Sequence, residues 1–204
     1  MQSEFIVDTS EQTVFSSQTL NISDLLYRSQ TIGGSGIKFE EHTKREENTY
    51  AVHRPGIDLE LLPDSFNPHC HGIAVYRDKA TPLPSEATVN DFTRLLSKLL
   101  NTVFTDVPEG TVSVFTKVDD PAQGFNMDGA IFLNMRYFEQ VHAPQIERDG
   151  VLGYRRAFFN WFTILCHELA HNGESGHNAH FINFLEEIVA HYMIRMTHIL
   201  DEDS

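Results

Sequence analysis

The stretch Phe158-Phe159-Asn160-Trp161-Phe162-Thr163-Ile164-Leu165-Cys166-His167-Glu168-Leu169-Ala170-His171 decides how this chain is read. Its apolar residues fall on most faces of a 3.6-residue period, so it reads as a deeply buried helix. The helix is expected to start near Val151 or Leu152, after an Asp149-Gly150 turn. It should end near Asn172, with Gly173 as the stop. Its last turn carries two histidines and an acid. Residues four apart on a helix differ by about 40° of rotation, so His167 and His171 project from one face. Two imidazole nitrogens so placed can reach one metal ion at ~2.0–2.1 Å. Two unpaired imidazoles in so apolar a helix would otherwise be costly. Glu168 sits about 100° further around, where it can act as a general base without being a ligand.

A third histidine follows. His177 comes six residues after His171, across Asn172-Gly173-Glu174-Ser175-Gly176. Two glycines let the chain leave the helix and turn back. His177 can then complete three protein nitrogens around an ion, with one position left for water, the pattern of a catalytic zinc rather than a closed structural one. His180 is a rival for third ligand or a neighbour of the site. Glu186 and Glu187, in the last helix, are weaker rivals and read more simply as a solvated face. His191 and His198 are expected at the surface or at a helix end. His69-Cys70-His71 resembles a soft-metal cluster, yet no second cluster at zinc-ribbon spacing completes it.

Outward from this helix the pattern is α+β, a small mixed sheet packed on two or three helices. Ile57–Leu61 alternates apolar and charged residues. Gly72–Tyr76, Thr111–Thr116 and Gly129–Met135 read as further strands. Thr88 is a candidate cap for a helix whose apolar stripe runs Phe92, Leu95, Leu96, Leu99, Leu100, Val103, Phe104. A last helix carries Phe181, Phe184, Leu185, Val189, Tyr192, Met193 and Met196. Residues 1–56 differ from the rest. They are rich in Ser, Thr, Gln, Asn and Glu, and are expected to be a polar, partly disordered segment with at most a short strand or two. The domain proper should span 57–204.

Composition excludes several classes. The chain has 204 residues, 41% of them apolar, enough for one core. It carries 15 Lys+Arg against 29 Asp+Glu, a formal net charge of −14. Such a chain should be repelled by nucleic-acid backbones and anionic membranes, so neither is an expected partner. Two cysteines, Cys70 and Cys166, cannot build a disulfide scaffold, and Cys166 reads as a buried thiol. The N-terminal Met1-Gln2-Ser3-Glu4-Phe5 shows no secretory pattern. The expected location is intracellular, in the cytoplasm.

His167-Glu168-Leu169-Ala170-His171-Asn172 followed by His177 resembles the zincin metallopeptidases with an HExxHxxxxxH motif. Within them it is similar to the WLM (Wss1-like) metalloproteases, whose signature reads His-Glu-Leu-x-His-Asn, a Gly-containing loop, then His. It also resembles the C-terminal peptidase-like domain of sacsin-like proteins with an Hsp90-type ATPase module, where two further His and an aromatic follow, as His177, His180 and Phe181 do here. The likeness rests on 167–181 and, more loosely, on about 110–200. Glu174 stands where metzincins place Gly, and Ser175-Gly176 and Asn178 stand where WLM proteins commonly place Gly-Pro and Asp. The resemblance implies a zincin-like fold, Zn2+ as cofactor held by His167, His171 and His177, and Glu168 as catalytic base. It implies a zinc-dependent hydrolase that cleaves peptide bonds in a peptide or protein substrate. The alternatives are an inactive zinc-binding interaction module of a larger chaperone-like assembly and a zinc hydrolase acting on another bond. Tyr154 and Tyr192 are candidate oxyanion donors, though a core or surface role suits each better.

Overall fold

A computed structural model describes residues 51–54 and 57–202 of the chain. The strands are β1 (Ala51–Arg54), β2 (Ile57–Leu61), β3 (His69–Cys70), β4 (Ile73–Asp78), β5 (Val112–Thr116), β6 (Gly124–Met127) and β7 (Ala130–Asn134). The helices are α1 (Glu86–Thr102), α2 (Ala143–Asp149), α3 (Val151–Ala170) and α4 (Ala179–Glu202). A short helical turn (Met135–Tyr137) and a π-helical turn (Phe138–His142) lead into α2. Mixed sheet and helices together give the expected α+β class. The segment 1–56 falls mostly outside the described residues, but its Ala51–Arg54 forms β1 and pairs antiparallel with β2.

Among the described residues the sheet has seven strands in the order β1-β2-β4-β5-β7-β6, with β3 paired to β4. Its centre, β4-β5-β7, is parallel. Central parallel strands are covered on both faces, and Val112-Ser113-Val114-Phe115-Thr116 is buried at every position. β6 returns antiparallel to β7 through Asp128-Gly129, whose φ values of 51° and 85° make the double left-handed turn that tight hairpins favour. Asn134, fully buried, holds the loop that feeds β6. Its Nδ2 donates to the carbonyls of Lys117 (3.2 Å) and Ala122 (3.2 Å).

One face of the sheet meets the helices. α1 starts where the Ser85 hydroxyl accepts from Thr88 N–H at 3.0 Å, so Ser85 and not Thr88 is the cap. Val89, Phe92, Leu95, Leu96 and Leu99 then form its buried stripe. Phe92 packs on Trp161 of α3 with ring centroids 4.6 Å apart, and Phe104 packs on Phe162 (5.6 Å) and on Tyr192 of α4 (4.4 Å). Each such buried aromatic contributes ~1.5–3 kcal/mol of apolar transfer energy. The other face carries a smaller cluster of Leu59, Tyr76, Phe115, Phe125 and Phe132. Among the described residues no helix is long and apolar enough to cross a membrane.

Three elements differ from expectation. β6 was not anticipated, because Gly124-Phe125-Asn126-Met127 buries only Phe125 and shows no clear alternation. α2 and its π-turn were missed, since Pro144 and the two buried residues Phe138 and His142 give no helical stripe. Gly173 does not cap α3, whose C-cap is His171. Gly173 is demanded by packing: a Cβ there would stand 2.6 Å from the Phe184 ring.

Candidate metal centre

α3 delivers His167, Glu168 and His171 to the end of the core, and the loop 172–178 brings His177 back. Asn172, Gly173 and Glu174 continue in turns, with Glu174 N–H bonded to the Ala170 carbonyl at 3.2 Å. Gly173 then lies against Phe184 of α4, which draws the loop onto the helix pair. Asn178 Oδ1 accepts from Phe181 N–H at 3.0 Å and so starts α4.

The three imidazoles converge. One ligand atom from each of His167, His171 and His177 lies within 4.8 Å of the others. His167 Nε2 and His177 Nε2 are 3.1 Å apart. Two nitrogens each ~2.0–2.1 Å from one tetrahedral ion stand about 3.3 Å apart, so this spacing suits a shared cation. His171 Nδ1 lies 3.1 Å from the Glu174 carbonyl. A carbonyl can only accept, so Nδ1–H donates and Nε2 keeps the lone pair a metal needs. Phe181, buried to 2% exposure, packs on all three rings with centroids 5.0, 4.6 and 4.7 Å away. This apolar wall was not foreseen, although Phe181 stands inside the motif.

Burial lowers the pKa of His167, and the neighbouring His171 and His177 lower it further. Burial also lowers His171, opposed by the Glu174 carbonyl and helped by His177. Neutral imidazoles are the ligating form. Burial favours that form at His167 and His171, and three imidazole nitrogens fit zinc better than a hard cation that seeks oxygen. Glu168 is 5% exposed and is flanked by β6. Its Oε1 lies 3.4 Å from where a Cβ of Gly124 would be.

The remaining candidates fall elsewhere. His180 is exposed and stands outside the converging set, as do the exposed Glu186 and Glu187. His69-Cys70-His71 is not a cluster: Cys70 is buried, while His71 leaves the strand at φ 52° and bonds Asn90 Oδ1 at 3.0 Å. Cys166 is fully buried, and burial pushes its thiol far up. Tyr192 is fully buried, and burial with the nearby Asp106 carboxylate pushes its hydroxyl up. It cannot touch a substrate. Tyr154 stacks on Phe158, about 20 Å down the helix from His167. His191 is not a surface residue, because its Nε2 faces Asp106 Oδ2 at 3.5 Å. Comparison with protein-family models, with curated proteins and with solved structures finds no match to this chain.

Proposed function

We propose that this chain is a zinc-dependent hydrolase of the zincin type and that it cleaves peptide bonds. The observation that carries the reading is the meeting of three imidazoles at one point, with a buried acid as the next residue of the same helical turn. When bound, zinc supplies the Lewis acidity that acidifies water and polarises a carbonyl. His167, His171 and His177 are the residues that would hold it. Glu168 accepts the proton of the attacking water and hands it to the leaving amine. Phe181 keeps bulk water from the back of the imidazoles and holds their rings in place.

Position of the sheet edge favours a peptide over other substrates. β6 is the last described strand on its side, and its residues reach Glu168 directly. An extended peptide that paired with such an edge would run beside the acid. A structural zinc has no need of a general base beside its first ligand, and Glu168 is intact.

The test has two steps. Purified protein is assayed for zinc, then for cleavage of casein by wild type and Glu168→Ala. One equivalent of zinc and cleavage lost in Glu168→Ala are expected. Zinc without cleavage would leave an interaction module instead, and cleavage indifferent to Glu168→Ala would remove Glu168 as the base.

A further inference from the structure

Glu168 and the end of α3 are held from outside the motif. Asn126, on the edge strand β6, uses its whole side-chain amide to do this. Its Nδ2 donates to the backbone carbonyl of Glu168 at 2.7 Å and to Asn172 Oδ1 at 2.6 Å. Its Oδ1 accepts from Gly129 N–H at 3.0 Å. The orientation is unambiguous, because a carbonyl can only accept and a backbone N–H can only donate. The Glu168 carbonyl is one of the last four of the helix, which have no partner within a regular α-helix. Asn172 N–H bonds the Leu169 carbonyl instead of that of Glu168. Asn126 therefore caps the turn that carries the ligands. Through Asn172 it also holds the point where the chain departs for His177.

Gly124 lies two residues before Asn126, on the same face of the strand. A Cβ there would come within 3.1 Å of the Phe132 carbonyl and of Leu133 Cδ2, and within 3.4 Å of Glu168 Oε1. The tight contacts are those to β7, whereas 3.4 Å to Glu168 Oε1 is an ordinary van der Waals distance, so the strand passes beside the carboxylate without filling its place. Phe125, between them, faces the other way into the second core cluster.

We propose that Asn126 is a positioning residue for the metal-binding turn: with Asn172 it sets where His167 and His171 stand relative to His177. The proposal rests on the zinc reading above and adds that the site is completed by the strand, not by the helix and loop alone.

The experiment uses the full chain and reads zinc affinity by competition with a chromophoric chelator. Asn126→Ala and Asn172→Ala are each expected to weaken zinc about tenfold, the low end for groups that orient ligands. The double variant should be no weaker than the worse single one, since both remove one link. Phe125→Leu is the control on the same strand. It should lower the melting temperature and leave zinc affinity within about twofold. Wild-type affinity in both asparagine variants would overturn the proposal, as would a loss that merely follows melting temperature across all variants. If wild type itself binds no zinc, the metal reading has failed and takes the proposal with it.

Discussion

Histidine is used in two opposite ways, beside the start of α4 and half-way along it. Near its start, His167, His171 and His177 face one another, with only the Glu174 carbonyl as a further polar partner given by hydrogen-bond geometry. Further along, His191 faces Asp106, and Asp106 also accepts from Arg195 at 3.1 Å. Arg195 Nη1 donates in addition to the Val103 carbonyl and to Thr105 Oγ1. The second group balances its own charge and pins the turn after α1 to α4. The first group offers lone pairs to a shared point and supplies no carboxylate among its ligands. Asp106 already has a cation in Arg195, whereas the three imidazoles converge with none, which leaves room for one.

The largest expected effect separates the acid from the ligands. Glu168→Gln should cut kcat by ~10²–10⁴-fold while zinc content stays at the wild-type level, as measured by turnover and metal analysis. Next comes the wall shared by the three rings. Phe181→Ala opens a cavity beneath them and should cost about 3–5 kcal/mol in denaturant unfolding, with weaker zinc binding. His191→Asn should leave zinc affinity untouched, and a loss there would break the contrast between the two groups.

Metal removal is a middle-sized test. Zinc at 100 times its Kd stabilises the fold by about 2.7 kcal/mol. A chelator should then lower Tm by roughly 5–10 °C, read by calorimetry, for a domain of this size. His171→Ala should show no such drop, having no zinc to lose. On the other side of the comparison, Asp106→Asn should cost about 1 kcal/mol, because its partners are partly open to solvent. Zinc affinity should not change.

The smallest effect concerns a third kind of histidine. His142 is buried, its Nδ1 has no partner, and its ring lies 6.0 Å from Trp161. Burial lowers its pKa, opposed by Gln145. The unfolded chain therefore takes up a proton near pH 6.5 before the folded one does. Stability from this group is complete above that pH and declines as pH falls below it. His142→Phe should flatten this acid limb in unfolding experiments run from pH 7 to 5, and an unchanged slope would assign the limb to other groups.

The convergence of the three histidines was legible in the sequence because it is local. Helical period alone brings His167 and His171 together, and a loop of a few residues returns His177, with Gly173 letting it lie against Phe184. The elements that complete it were not legible. Asn126 meets residues 42 and 46 positions away, and no short pattern announces such a contact. β6 hides for the same reason. It is an edge strand with one buried residue, so alternation has almost nothing to mark. His191 gave a wrong expectation because its anion, Asp106, lies in a turn on the far side of three strands and the helices α2 and α3 in chain order. The core helices were easier, since Phe92, Leu95, Leu96 and Leu99 declare a face whatever they pack against.

The crossing from β6 to α3 has a consequence for how the protein matures. All three nitrogens lie between residues 167 and 177, so their cluster can assemble through short-range contacts that form quickly. The amide bridge from Asn126 spans 42 residues and needs the hairpin of β6 and β7 docked on α3. Under the zinc proposal, gathering the imidazoles and aligning the acid are therefore separable steps.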